Sequence, residues 1–104
     1  MLKRRYEILL PLKHNDGRSV SDDKLNQTRE ELVNRFDGVS VQPQSIVGIW
    51  VHEGMRYEDT SVLLAIDVDD TPENRQFFLD FKSALLQRFE QIEIYIASFP
   101  VDIL

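Results

Sequence analysis

Four segments of this chain alternate apolar and polar residues with the two-residue period of a β-strand, and two segments between them do not. The alternation predicts strands over residues 5–12, 39–53, 57–68 and 92–99. One predicted helix starts near Ser21 and ends at Asp37 and Gly38, with Gly38 suited to a left-handed end position. A second starts with Pro72 in its first turn and runs to about Glu90. The element order is therefore β-α-β-β-α-β, and it constrains the fold more than any other feature.

Two strand-helix-strand crossovers of the usual handedness place both helices on one face of a four-stranded antiparallel sheet. We therefore predict an α+β, ferredoxin-like βαββαβ sandwich with strand order 4-1-3-2. The chain has 104 residues, the usual size of one domain, so we expect residues 1–104 to form a single domain. Pro43, near the start of strand two, predicts that this strand lies at a sheet edge or contains a bulge. Pro100 is expected to end strand four.

Composition limits the classes of function. The formal net charge is −6 and the basic residues are dispersed, which argues against nucleic-acid binding, because phosphate recognition needs clustered Lys and Arg. The chain has no cysteine, which excludes disulfides, thiolate metal sites and cysteine nucleophiles. No apolar run is long enough for a membrane span or a signal peptide, so we expect a cytoplasmic protein without membrane association. Phosphate-loop, hydrolase and dinucleotide motifs are absent, and no cofactor is expected.

The sheet face without helices is predicted to be partly apolar. If the more apolar side of each strand faces the helices, five large side chains remain on this open face: Leu9, Trp50, Leu63, Tyr95 and Phe99. They are expected to lie near one another across the strands, and such a patch usually marks an interface. We therefore predict a non-enzymatic binding module that forms a homodimer, or binds a protein or small-molecule partner, through this face. Alternatively, the C-terminal tail, residues 101–104, folds over the face and covers it.

The two histidines of the chain are predicted to emerge at the same end of the sheet. His14 lies in the loop after strand one, and His52 precedes Glu53 in the hairpin between strands two and three. An imidazole beside a carboxylate is a candidate general base, so His52, His14 and Glu53 are candidate catalytic residues of a small dimeric α/β-barrel enzyme. In that alternative His52 is the base. A second alternative is a divalent-metal sensor with His14 and His52 as ligands.

Two stretches of the chain resemble small bacterial proteins of unassigned function. They are Gly48–Gly54 followed by Arg56–Asp59, and Asp70–Asn74. The resemblance extends over nearly the whole chain. It implies a stand-alone bacterial domain with a ferredoxin-like fold, and it implies no activity and no site residues.

Overall fold

The computed structural model describes residues 2–104, apart from the side chains of residues 43 and 44. The elements in chain order are β1 (Lys3–Pro11), α1 (Asp22–Phe36), β2 (Ser40–His52), β3 (Met55–Asp69), α2 (Pro72–Arg88) and β4 (Ile96–Val101). The predicted α+β class and β-α-β-β-α-β order are confirmed. The strands pair antiparallel in one sheet with the order β2-β3-β1-β4, which is 4-1-3-2 when read from the other edge.

Both helices begin at side-chain caps. The Ser21 hydroxyl accepts a hydrogen bond from the Lys24 amide, and the Thr71 hydroxyl accepts one from the Asn74 amide. Each bond satisfies an amide that the start of a helix leaves unpaired. At the end of α1 the left-handed residue is Asp37, with φ of 62°, and not the predicted glycine; aspartate is among the residues that tolerate this conformation. Within residues 2–104, neither helix is long and apolar enough to cross a membrane.

The hydrophobic core lies between the two helices and one face of the sheet. Its fully buried side chains include Ile8, Leu10, Leu32, Leu64, Leu85, Phe89 and Ile94. Aromatic rings connect the layers, because Tyr6 of β1 stacks on Phe78 of α2 with ring centroids 3.9 Å apart. The opposite face of the sheet receives neither helix, so the predicted open face exists.

A buried polar link joins the two helices. Thr28 is 0% exposed, and its hydroxyl donates to the Lys24 carbonyl at 2.9 Å and accepts from Arg88 Nη1 at 2.8 Å. Arg88 Nη2 also donates to Glu31 Oε1 at 2.7 Å. Thr28 is therefore a polar residue on the buried side of α1 whose hydroxyl is satisfied by hydrogen bonds.

The predicted bounds of strand four are wrong. Alternation predicts residues 92–99, whereas β4 spans Ile96–Val101 and contains Pro100, opposite Arg4. Proline is tolerated there because β4 is an edge strand, where a missing amide donor costs no ladder bond. Ile94 precedes the strand but is buried in the core, at 1% exposure. Its apolar side chain therefore extends the apolar-polar alternation in the sequence beyond the actual start of β4.

The C-terminal tail does not cover the open face. Ile103 is 53% exposed and Leu104 is fully exposed, so neither side chain is packed against the sheet. The alternative in which residues 101–104 bury the apolar patch is therefore wrong.

β2 is the other edge strand, and its pairing with β3 shifts register between Gln42 and Ile46. An edge position or a bulge was expected from Pro43, whose own side chain lies outside the described part of the chain. β1 ends at Pro11, opposite Ser61, but β2 and β3 stay paired from there to the chain reversal. Residues 47–60 therefore form a two-stranded ribbon, here called the projecting hairpin.

The turn of the projecting hairpin is made by Glu53 and Gly54, with φ of 50° and 76°. Two successive residues with positive φ are typical of the tight turns whose twist matches that of paired strands. The hairpin makes the molecule elongated, with extents of 43 × 30 × 25 Å.

Candidate ligand pocket and interaction surface

A pocket of about 290 Å³ opens on the open face, where the projecting hairpin leaves the sheet. Its walls come from β1, both hairpin strands and the segment before β4, and they include Leu9, Trp50, Asp59, Ser61, Glu93 and Tyr95. The volume is near the lower limit of small-molecule sites. Three of the five residues predicted for the open-face patch, Leu9, Trp50 and Tyr95, therefore meet in one concave surface, here called the Trp50 pocket.

The indole of Trp50 is held on its edge and on one face. Its Nε1 donates to Asp59 Oδ2 at 2.5 Å, and its ring stacks on Tyr57 with centroids 4.5 Å apart. Trp50 lies opposite Tyr57 in the hairpin register, and Asp59 is two residues further along β3. Strand alternation thus places all three side chains on the same side of the hairpin. The ring is fixed before any ligand arrives.

Two carboxylates, Asp59 and Glu93, line the pocket. Glu93 accepts hydrogen bonds from Lys82 Nζ at 2.8 Å and from the Ile94 amide at 2.9 Å. The Lys82 bond is the largest cause that holds the pKa of Glu93 below its ordinary value, so Glu93 is ionised at neutral pH. Within the described residues, no Lys or Arg side chain forms part of the pocket wall. The lining is therefore apolar with a negative charge.

Ser61 is the buried polar residue of the pocket. It is 7% exposed, lies between Pro11 of β1 and Ile46 of β2 in the sheet, and lines the pocket. None of the side-chain hydrogen bonds found within the described chain involves its hydroxyl. Sequence reasoning gave Ser61 no role; the available signal was its position two residues before Leu63, which places both side chains on the same side of the strand.

Leu63 and Phe99 lie outside the Trp50 pocket. Leu63 is opposite Leu9 and lines a neighbouring depression on the same face. Phe99 is opposite Arg5, near the start of β1, and is 39% exposed. The prediction that Phe99 converges with Trp50 is wrong, because Trp50 lies in the hairpin beyond the other end of β1. That these residues form an interface stays a prediction.

The structure gives His14 a local role. It is 8% exposed, and its Nδ1 lies 3.2 Å from the Phe89 carbonyl oxygen and 3.3 Å from Glu90 Oε2. These contacts tie the loop after β1 to the end of α2. The ring is thus engaged by main chain and carboxylate on the helix side of the molecule.

His52 has different neighbours. Its Nε2 lies 3.7 Å from Glu53 Oε1, and its ring centroid lies 6.2 Å from that of Trp50. The contacts of His14 and His52 share no residue, so they give no support to a joint site. No group of three or more His, Asp and Glu side chains in the described chain is arranged to hold a metal ion. A role of His52 as a base stays a prediction, since it borders the pocket through Trp50 without lining it.

Apolar side chains are exposed along one side of the projecting hairpin. Val47, Ile49 and Val51 alternate along β2 and are 60%, 57% and 69% exposed. These three residues are here called the hairpin row. Met55, which is 61% exposed, pairs with His52 and therefore lies on the other side of the hairpin, with Trp50. Sequence reasoning missed the row, because it assigned this side of strand two to the helices, which cover only the part of the sheet below the hairpin.

No family model matches the chain, and no curated protein matches it. Solved structures do match. The divalent cation tolerance protein CutA1 from Thermus thermophilus aligns with a TM-score of 0.65 and 17% identity over 97% of this chain and 85% of that one. CutA1 from Oryza sativa aligns with a TM-score of 0.64 and 14% identity over 99% and 83%.

A phage SAM lyase in complex with S-methyl-5'-thioadenosine also aligns, with a TM-score of 0.67 and 13% identity over 97% of this chain and 90% of that one. Proteins with different described activities thus share this backbone. At these identities the comparisons establish that the chain has the α+β, ferredoxin-like fold of these structures.

Proposed function

We propose that this protein is a self-associating binding module, in which copies of the chain contact each other through the projecting hairpin and the open face. One observation carries the proposal: the hairpin row is more than half exposed on a ribbon that the rest of the described chain leaves uncovered. A two-stranded ribbon is marginally stable in water unless another element packs on it. A second copy that packs on the row removes this exposed apolar surface from water.

The size of the hairpin row indicates that the open face must take part as well. Full burial of one aliphatic side chain contributes about 2 kcal/mol, and slightly more than half of each side chain remains to be buried. Three side chains on each of two copies then contribute about 7 kcal/mol. This is comparable with the about 4–15 kcal/mol that association costs. A stable assembly therefore needs further contact area, and the partly exposed Tyr95 and Phe99 provide it on the open face.

Another copy of the chain is the partner that the edges of the sheet favour. β2 and β4 are the two edge strands, and each directs unpaired main-chain groups outward. Every copy presents both edges, so pairing between copies satisfies them without any other protein.

Light scattering after size exclusion, with sedimentation velocity over a range of concentrations, tests the proposal. We expect a mass that is a multiple of 12.2 kDa for the unmodified protein and a reduced mass for Val51→Lys. The matched control is Leu79→Lys, because Leu79 is a 52% exposed apolar residue on α2, away from the hairpin. A monomeric unmodified protein at every concentration, or equal effects of the two substitutions, would contradict the proposal.

Binding of a divalent cation is the second candidate function. The observation that favours it is the shared fold with proteins described as divalent cation tolerance proteins. In this chain the pair His52 and Glu53, 3.7 Å apart, supplies at most a partial ligand set, so a second copy would have to complete the site. We expect a specific ion to raise the melting temperature of the unmodified protein and not that of His52→Ala. If Cu²⁺, Zn²⁺ and Mg²⁺ all leave the melting temperature unchanged, this candidate is rejected.

A further inference from the structure

We infer that the Trp50 pocket is a binding site for a small organic cation, a molecule with a positively charged ammonium or sulfonium group on an apolar body. Three independent features of the wall support this assignment: its charge, its aromatic rings and its free hydroxyl group. All three come from one chain, so the inference does not depend on self-association.

The charge of the pocket selects a cation. Asp59 and Glu93 are the charged residues of the wall within the described chain, and both are acidic. Lys82 compensates part of the charge of Glu93 from outside the wall, at 2.8 Å. Trp50 Nε1 engages only Oδ2 of Asp59, which leaves the other oxygen for a ligand. An anionic ligand would meet like charges in a partly desolvated site, where repulsion is strong.

The aromatic rings favour a cation with an apolar body over a bare metal ion. A positive group over an indole or phenol ring is attracted by the negative face of the ring, most strongly for tryptophan. The indole of Trp50 is immobilised by Asp59 and Tyr57, so little side-chain entropy is lost when a ligand binds. Tyr95 is 61% exposed and forms part of the same wall. Aliphatic residues such as Leu9 supply the remaining surface.

The hydroxyl of Ser61 is a polar group that the fold leaves for the ligand. Ser61 is 7% exposed, and within the described chain no fully buried side-chain oxygen lacks a hydrogen-bond partner, so the unbonded hydroxyl of Ser61 is accessible at the pocket surface. Its position in the pocket wall makes a ligand, or water that a ligand displaces, the natural partner. The volume of about 290 Å³ restricts the ligand to a small molecule.

Titration with three probes that share one ring tests the inference. The probes are benzyltrimethylammonium, benzyl alcohol and phenylacetate, which carry positive, zero and negative charge. Trp50 is the single tryptophan of the chain, so intrinsic fluorescence reports on the pocket, and calorimetry measures affinity independently. We expect the cation to bind about tenfold more tightly than the alcohol and phenylacetate to bind most weakly.

Two variants locate the charge. Asp59→Asn and Glu93→Gln are each expected to weaken binding of the cation about three- to tenfold, with little effect on the alcohol. Glu93→Gln keeps the indole bond of Asp59, so it remains informative if Asp59→Asn disturbs the hairpin. The matched control is Asp80→Asn, an exposed residue of α2, which should leave the affinity unchanged.

Three results would overturn the inference: equal affinity for the cation and the alcohol, an effect of Asp80→Asn as large as that of Glu93→Gln, or no saturable binding of any probe. Repeating the titration with Val51→Lys separates this inference from the proposed function. Retained cation binding by a dissociated variant supports the pocket, whatever the fate of the assembly.

Discussion

Replacing Arg88 with methionine tests how much the polar link between the helices stabilises the fold. Methionine keeps an apolar side chain of similar length and removes the guanidinium donors. The variant loses the hydrogen bond to Thr28 at 2.8 Å and the ion pair with Glu31 at 2.7 Å. The Thr28 hydroxyl still donates to the Lys24 carbonyl, so it is not left without a partner.

The expected loss of stability has three contributions. The bond to the buried Thr28 hydroxyl contributes about 1–1.5 kcal/mol. The pair with Glu31 contributes about 0.5 kcal/mol, because the Glu31 side chain is 38% exposed and the interaction is screened by solvent. Arg88 lies in the last turn of α2, where a positive charge adds about 0.3–0.5 kcal/mol through the helix dipole. The free energy of unfolding should fall by about 2 kcal/mol, which lowers the melting temperature by roughly 10 °C.

Urea and thermal denaturation followed by circular dichroism measure this loss, at one protein concentration for all variants, since self-association adds to apparent stability. Arg75→Met is the control, because Arg75 is exposed on the same helix and its substitution should change stability by less than about 0.5 kcal/mol. A double-mutant cycle with Thr28→Val isolates the pairwise energy. If Arg88→Met destabilises no more than Arg75→Met, the polar link does not stabilise the helix layer.

Three further predictions concern pH, salt and His14. The hydrogen bond from Arg5 is the largest cause that lowers the pKa of Asp67, as the one from Lys82 does for Glu93. These carboxylates therefore stabilise the fold above their unfolded-state pKa values of about 4, and stability is lost as the pH falls through their lower folded values. Arg5→Gln should flatten this acid limb in urea titrations, and an unchanged limb would contradict the assignment. Salt should strengthen self-association in sedimentation experiments, because each copy carries a net charge of −6 and like charges are screened; weakening by salt would indicate an ionic interface instead. His14→Ala should lower stability by about 1–3 kcal/mol through the lost contact with the end of α2 and should leave any metal-induced thermal shift intact. Loss of that shift in His14→Ala would restore His14 as a ligand.

The fold could be predicted from the sequence because local signals agree with one another. Neighbouring residues alone determine the helix caps at Ser21 and Thr71 and the alternation of β1 and β3. The usual handedness of the crossovers then places both helices on one face of the sheet. Errors occur where tertiary contacts override the local pattern. Ile94 continues the alternation of a strand because it is buried against the core, and the actual strand starts two residues later.

The site was only partly predictable for a related reason. Alternation places Leu9, Trp50 and Tyr95 on the open face, and the structure brings them into one pocket. Alternation does not show how far β2 and β3 extend beyond the end of β1. The length of this extension decides which side chains of β2 the helices leave uncovered. It explains both the exposure of the hairpin row and the separation of Phe99 from Trp50.

The register shift in β2 imposes a rule on changes of chain length. Three residues of β2 lie between Gln42 and Ile46, opposite the single residue Val62 of β3, so the excess is an even number. Because side chains change sides at every residue, an even excess keeps Gln42 and Ile46 on the same side of the sheet. Deletion of one residue here would turn one half of the strand over relative to the other, whereas deletion of two would preserve both orientations. We therefore expect this point of β2 to tolerate insertions or deletions of two residues. A change of one residue would turn the half of β2 before the register shift to the opposite side of the sheet, relative to the half that contains Trp50.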